Sequence, residues 1–370
     1  MIRILHVLGG LDRGGTETML MNIYRNINRE NIQFDFIIHT TKRQDYEEEI
    51  LNKGGKIYRF PKYNIKNHIC YSNWWEEFFL EHQEYKIIHG HQRGAAFLYL
   101  KIAKKFGLKT IMHSHSISSR GKGIEKLIKD ILRYPMRKYV DYPLACSIAA
   151  GKWLFGNNIL ENKKFKIIKN GINIGKYVFD SKKRDTIRKE LNLNGKIVVG
   201  HVGSFTDAKN HKFLIEIFSK FQKFHKNAIL MLVGDGPLKK EILLQIYKLG
   251  LVKSIMLVGN VPNVNDYLQV MDIFVFPSKY EGFGMAVIEA QASGLKCIIS
   301  NMLPVEINVC NDLIRCLSLD ISQNEWVNLM NVEVNYKRKN KSNEINKKGY
   351  SSELVANSLE NIYGDIFFSI

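Results

Sequence analysis

Short apolar runs separated by glycine-rich or polar loops recur along the whole chain, and between them apolar residues fall at helical spacing. In the first half, Ile2–Leu8 and residues 34–39, 57–60, 86–89, 110–112, 142–146 and 166–169 read as strands. In the second half, Ile197–Val202, Ala228–Val233, 254–258, Ile273–Phe276 and 296–300 do the same. Residues 72–83, 95–105, 181–194, 210–225, 237–249 and 263–271 are predicted helices. A last helix starts at about Ser351, with Leu354, Leu359 and Ile362 on one face. Thr16 stands where it would cap the first helix, and residues 335–349 are polar, basic and expected at the surface. Strands apolar on both faces, alternating with helices, predict an α/β fold of doubly wound parallel sheets.

Length splits this pattern in two. A chain of 370 residues is too long for one ordinary α/β core and fits two domains, at 1–172 and 173–350, with 351–370 as the last helix. No apolar run reaches the ~18 residues of a membrane span, and the first apolar run meets glycine too early for a signal peptide. Five scattered cysteines without Cys-x-x-Cys spacing suit reduced thiols in the cytoplasm. The net charge of +18 is concentrated: residues 101–180 hold 17 Lys/Arg against 5 Asp/Glu. Nucleic acid and an anionic membrane surface are the partners such a balance suggests, and a plain compositional bias toward lysine is the third reading. Residues 123–139 form an amphipathic pattern, apolar at Ile124, Leu127, Ile128, Ile131 and Leu132 and flanked by Lys122, Lys126, Lys129, Arg133 and Arg137. That pattern fits a core-facing helix with a solvated basic face, or a helix lying on lipid headgroups.

The most informative stretch is Glu281-Gly282-Phe283-Gly284-Met285-Ala286-Val287-Ile288-Glu289. It follows the strand Ile273–Phe276, so Glu281 falls in a strand–helix loop and Glu289 inside the following helix. Glycine amides and a helix amino end favour an anion, and two carboxylates accept from hydroxyls: together they suit a sugar nucleotide. A surface glutamate and a mid-helix glutamate would show the same spacing. Two further glycine loops follow strands, at residues 9–15 and at 203–210. The first lacks Gly-x-Gly-x-x-Gly, and Asp35 lies within a strand rather than at its end, which weakens a dinucleotide reading. In the second, Lys209 can neutralise a diphosphate. His89, His91, His113 and His115 stand at strand ends, but His-x-His spacing is too loose for zinc and no Asp-x-Asp occurs, so no metal is expected.

These segments, with Gly14-Gly15, Asn170-Gly171-Ile172, Val202-Gly203 through Lys209-Asn210 and Val233-Gly234-Asp235-Gly236-Pro237, resemble in order the retaining GT-B glycosyltransferases of family 4. The resemblance spans nearly the whole chain. It implies two Rossmann-like domains facing a central cleft, with the last helix crossing back to the first. It implies a hexosyltransferase that takes a nucleotide-diphosphate sugar, UDP-linked, and needs neither a prosthetic group nor a metal. Donor contacts carry over to Gly15, Gly203, Ser204, Lys209, Gly234, Val261, Glu281, Gly282, Phe283, Gly284, Met285, Ala286 and Glu289. Glu281, Lys209 and His113 are the implied catalytic residues; Gly14, His113 and His115 belong to the acceptor side. The family commonly has arginine where Ser204 stands, so one phosphate clamp is missing. The implied acceptor is a lipid-linked saccharide or polysaccharide of capsule or exopolysaccharide synthesis, at the inner face of the plasma membrane. A GT-B nucleotide-sugar epimerase, a basic nucleic-acid-binding protein and a catalytically dead binding partner are the rival readings.

Overall fold

Strands rich in Ile, Val, Leu and Phe on both faces leave a parallel sheet no side for water, so helices must cover it twice. The computed structural model describes residues 1–116 and 134–369 and divides them into two such units. The first comprises Met1–Gly171 and the segment from Ser352 onward; the second is Ile172–Ser351.

In the first unit, β1 (Ile2–Leu8), β2 (Ile32–Ile38), β3 (Ile57–Arg59), β4 (Ile87–Gly90), β5 (Lys109–Ser114), β6 (Tyr142–Ala145) and β7 (Lys166–Ile167) form one parallel sheet. Their order is β3-β2-β1-β4-β5-β6-β7. Helix Gly15–Asn26 covers one face through Met19, Leu20 and Ile23, next to helix Ser352–Phe367 with Leu359, Ile362 and Tyr363. Helices His68–Glu81 and Ala96–Lys105 cover the other through Trp75, Phe78 and Tyr99. The returning helix is fastened where it starts. A Cβ on Gly171 would lie 2.8 Å from the Ser352 Cα, and Asn26 donates to the Ser352 hydroxyl at 3.1 Å.

The second unit repeats the plan with β8 (Ile197–Val202), β9 (Ala228–Val233), β10 (Ile255–Gly259), β11 (Ile273–Phe276), β12 (Cys297–Ser300) and β13 (Ile314–Leu317). They run parallel in the order β10-β9-β8-β11-β12-β13. Helices His211–Phe224 and Gln323–Glu333 pack together over it through Leu214, Phe218, Trp326 and Met330. Among the described residues no helix is long and apolar enough to cross a membrane.

Local expectations fail at three places, and a fourth is tested at one residue only. The first helix begins at Gly15 with Gly14 as its cap, and no side chain caps it; Thr16 is already helical. On the last helix Leu354 is 47% exposed, because the buried stripe runs through Val355, Leu359, Ile362 and Ile366. Within 335–349, Ile345 and Lys341 are buried, the latter paired with Asp312 at 2.9 Å and Glu344 at 2.6 Å. The amphipathic pattern at 123–139 falls largely outside the described residues. At its described end, Arg137 donates to the Leu154 carbonyl at 2.9 Å instead of standing free at a basic border.

Asp35 settles a different question. It is fully buried and accepts from Arg3 Nε and Nη2 at 2.6 Å each, from the Lys56 amide at 2.7 Å and from the Tyr85 hydroxyl at 2.8 Å. Its acceptor capacity is committed to the sheet, so it is no ribose ligand. Removing it strands a half-buried guanidinium and a buried hydroxyl. Asp35→Ala should therefore cost about 3–5 kcal/mol of stability, measured by urea unfolding; a loss below about 1 kcal/mol would show that the pair is screened like a surface bridge.

Candidate active site

In each sheet the connections reverse direction at one place, between β1 and β4 in the first unit and between β8 and β11 in the second. Loops leaving two such strands diverge and open a crevice beyond their carboxyl ends. The candidate residues sit at these two places.

In the second unit the loop after β8 and the loop after β11 are laced together. Asn210 Nδ2 donates to the Pro277 carbonyl at 3.1 Å, and the Lys279 amide donates to Ala208 at 2.8 Å. Lys279 Nζ pairs with Asp207 at 2.6 Å. At the centre, Lys209 Nζ meets Glu281 Oε1 at 2.5 Å, with side chains only 16% and 11% exposed. The ammonium also stands 4.6 Å from the centre of the Phe276 ring, a cation–π contact. Asn210 has φ of 55°, a left-handed conformation that non-glycine residues adopt at a cost. Its bond to Pro277 holds it there and turns Lys209 toward Glu281.

Glycine is required where these loops touch backbone to backbone. Gly234 has φ of 139°, and a Cβ on it would strike the Gly203 carbonyl. A Cβ on Gly203 would come within 3.1 Å of both His201 Nε2 and Lys209 Cδ. The Gly234 amide donates to Gly259 at 2.8 Å, drawing in the loop that holds the half-buried Val261. Ser204 is exposed.

Gly284, with φ of 90°, caps helix Met285–Ala292 without any side-chain cap bond. The first amides of that helix, at the half-exposed Met285 and Ala286, lack intrahelical acceptors and carry the positive end of its dipole. Phe283 turns its ring into the core against Tyr350, centroids 5.7 Å apart, so of the expected donor contacts it offers backbone only. Glu289 is buried in the helix. Desolvation pushes its carboxyl up to about 7, while a hydrogen bond from Tyr177 opposes the shift.

In the first unit, Gly14 and Gly15 open helix Gly15–Asn26 beyond β1, and the position of a Cβ on Gly15 is open space. Nearby the sheet gathers five histidines. His6 on β1 is in register with His89 on β4. His91 follows β4, His113 is on β5 and His115 follows it. His6 Nδ1 contacts His91 Nε2 at 3.0 Å, His91 Nδ1 contacts His115 Nε2 at 2.8 Å, and His89 Nδ1 meets the Tyr363 hydroxyl at 2.6 Å. Burial holds all five below the usual imidazole range, with repulsion from neighbouring imidazoles adding for His6, His89, His113 and His115 and burial alone taking His91 to about 3, so they are neutral. Spacing along the chain argued against a metal, but strand pairing brings nitrogens of His91, His113 and His115 within 4.8 Å of one another.

The sequence reading missed His6, because its cluster partners lie more than 80 residues away. It also missed His201, His211 and Lys279 around the lysine loop. His201 Nδ1 contacts the Val275 carbonyl at 2.9 Å, and burial beside Lys209 lowers His211 to about 4. A histidine on the strand before a glycine loop and another opening the helix after it were the available signals.

The comparisons with known proteins agree with this geometry. Residues 13–176 match the family described as Glycosyltransferase Family 4, and residues 183–317 match Glycosyl transferases group 1. Putative glycosyltransferase EpsF of Bacillus subtilis is 29% identical over 88% of this chain and 85% of its own. Capsular polysaccharide biosynthesis glycosyltransferase CapH of Staphylococcus aureus is 26% identical over 82% of each. Anabaena HepE, solved with UDP and glucose, superposes with a TM-score of 0.80 at 17% identity, over 98% of this chain and all of that one, which supports the GT-B fold. The two models fall on the two units in chain order, and the protein is a glycosyltransferase whose second unit matches the group 1 family.

Proposed function

We propose that this glycosyltransferase moves a hexose from a UDP-linked sugar to a saccharide acceptor held at the membrane, with retention at the sugar carbon, during synthesis of a surface polysaccharide. The Lys209–Glu281 pair carries the reading: a cation and a carboxylate meet at the strand reversal, four residues ahead of an uncapped helix amino end. Lysine and amides suit a diphosphate, and carboxylates suit hydroxyls. Lys209 and the amides around Gly203, Gly282 and Gly284–Ala286 take the pyrophosphate; Glu281 takes hydroxyls of the sugar and Glu289 those of the ribose. Gly15, Ser204, Gly234 and Val261 line the donor, His113 contacts the transferred sugar, and Gly14 and His115 belong to the acceptor.

Without donor, Lys209 and Glu281 neutralise each other. A diphosphate draws the ammonium toward itself and releases the carboxylate for sugar hydroxyls. As the sugar–oxygen bond breaks, charge grows on the leaving phosphate and Lys209 holds it most strongly there. That phosphate then guides the acceptor proton on the same face of the sugar. With no Asp-x-Asp, the donor is neutralised by lysine and backbone instead of a divalent ion. The name of CapH supports polysaccharide synthesis, and the UDP and glucose solved with HepE support the donor class. None of them favours the epimerase or nucleic-acid reading. The excess of Lys and Arg in 101–180 supports an acceptor at an anionic surface.

Glu281→Ala should lower kcat by about a hundredfold or more in a protein that still folds, with some loss of melting temperature because the part-buried Lys209 loses its partner. Lys209→Ala should lower kcat more than it raises KM. Near-normal turnover in both variants would remove the assignment.

Glu289 supplies a pH test. Its folded pKa of about 7 lies above the ordinary carboxyl value, so the free protein holds this proton between roughly pH 4.5 and 7 and loses stability as pH rises through that window. Ribose hydroxyls need the ionised form, so UDP binding must expel the proton below pH 7. Calorimetry should show UDP affinity falling by up to about tenfold per pH unit below 7, and Glu289→Gln should bind more weakly without that slope. A slope that survives in Glu289→Gln would assign the proton elsewhere.

For the membrane, vesicles containing anionic lipid should co-sediment the protein in a salt-sensitive manner. Changing Lys126, Lys129 and Arg133 to Gln should weaken that attachment. Equal binding to neutral vesicles would return 123–139 to an ordinary core helix.

A further inference from the structure

The proposed sugar contacts use His113 and His115 at the β1–β4 reversal, but they leave unexplained why five histidines cluster there with so many nitrogens unmet. Five neutral imidazoles offer ten ring nitrogens, and the three contacts given above use five of them. His6 Nε2, His89 Nε2, both nitrogens of His113 and Nδ1 of His115 are buried with no partner among the described residues. Each such group costs about 1–3 kcal/mol unless something meets it. His113 is the extreme case, 1% exposed with both nitrogens unmet.

We propose that His91, His113 and His115 bind a divalent transition-metal ion of the zinc type through their imidazole nitrogens, with an open position left for water. Three nitrogens and no carboxylate suit Zn²⁺, Co²⁺ or Ni²⁺ and not the oxygen-seeking Mg²⁺ or Ca²⁺. The ligand atoms lie within 4.8 Å of one another, and small ring rotations close them to the roughly 3.3 Å that bonds of about 2.0–2.1 Å to one ion require. The outer contact is in place as well. His91 can turn Nδ1 to the ion while its Nε2–H donates to His6 Nδ1, 3.0 Å away, as metal-bound histidines usually donate to a second group. The other triad, His6, His89 and His91, is less suited. His89 Nδ1 is taken by Tyr363 and both members besides His91 are fully buried, whereas His91 and His115 retain some exposure and give an ion access.

This site shares His113 and His115 with the proposed sugar contacts, but its test needs no turnover and can fail without touching the Lys209–Glu281 reading. The full chain is stripped with a chelator, dialysed and titrated with Co²⁺, following the visible d–d absorption. One Co²⁺ per chain should bind, without a thiolate charge-transfer band, and one equivalent of Zn²⁺ should displace it. His115→Gln and His113→Gln should each weaken binding at least tenfold, and His6→Gln about tenfold through the outer contact. Cys70→Ser/Cys316→Ser, which removes the exposed thiols, should bind as the parent does. Circular dichroism checks folding, and the half-exposed His115 serves should the buried variant fail to fold. No d–d band, a band unchanged in folded His115→Gln, or a band lost with the two cysteines would overturn the proposal.

Discussion

Everything in this molecule depends on how a parallel sheet is connected. Consecutive parallel strands can be joined only by a crossover over one face, and because crossovers are right-handed, helices cover both faces only if the chain builds outward from a centre in both directions. The two strands at that centre send their loops apart, and the backbone groups beyond their carboxyl ends are left for ligands. In the first unit those strands are β1 and β4, and they gather glycines and histidines; in the second they are β8 and β11, and they gather Lys209 and Glu281. One rule of connection thus produces two chemically different crevices.

The second crevice also shows how loops are made rigid without regular structure. Lys209 and Glu281 are 72 residues apart in the chain, yet they meet because Asn210, Ala208 and Asp207 each bond the opposite loop. The left-handed turn at Asn210 is stabilised by its side chain, and the glycines at 203 and 234 let two loops stack at backbone distance. Charge is held in place before any ligand arrives, so little reorganisation is left for the binding step.

Much of this was legible in the sequence because burial on both faces writes long apolar runs, and Ile197–Val202, Ala228–Val233 and Ile273–Phe276 have the bounds expected from them. Glu281 and Lys209 were legible through their glycine-bearing loops. What lacked a local signature was missed. Strand β13 (Ile314–Leu317) has an exposed cysteine and an arginine on a sheet edge, so its apolar pattern is interrupted. Gly14 capped the first helix where Thr16 was expected, since backbone geometry and not side-chain type decided the start. The pairing of His6 with His89 is a matter of register between strands some 80 residues apart, which no periodicity encodes.

The helix Ser352–Phe367 has a consequence for how the protein is made. Its Leu359, Ile362 and Tyr363 complete the core of a unit whose other residues precede Ile172, so that unit is discontinuous in the chain. During synthesis the ribosome must emit the whole second unit before the first can bury its sheet. The second unit can finish folding as it emerges, whereas the first waits with an apolar face open to water, a state exposed to chaperones and to aggregation. Maturation of the protein is therefore paced by its last helix.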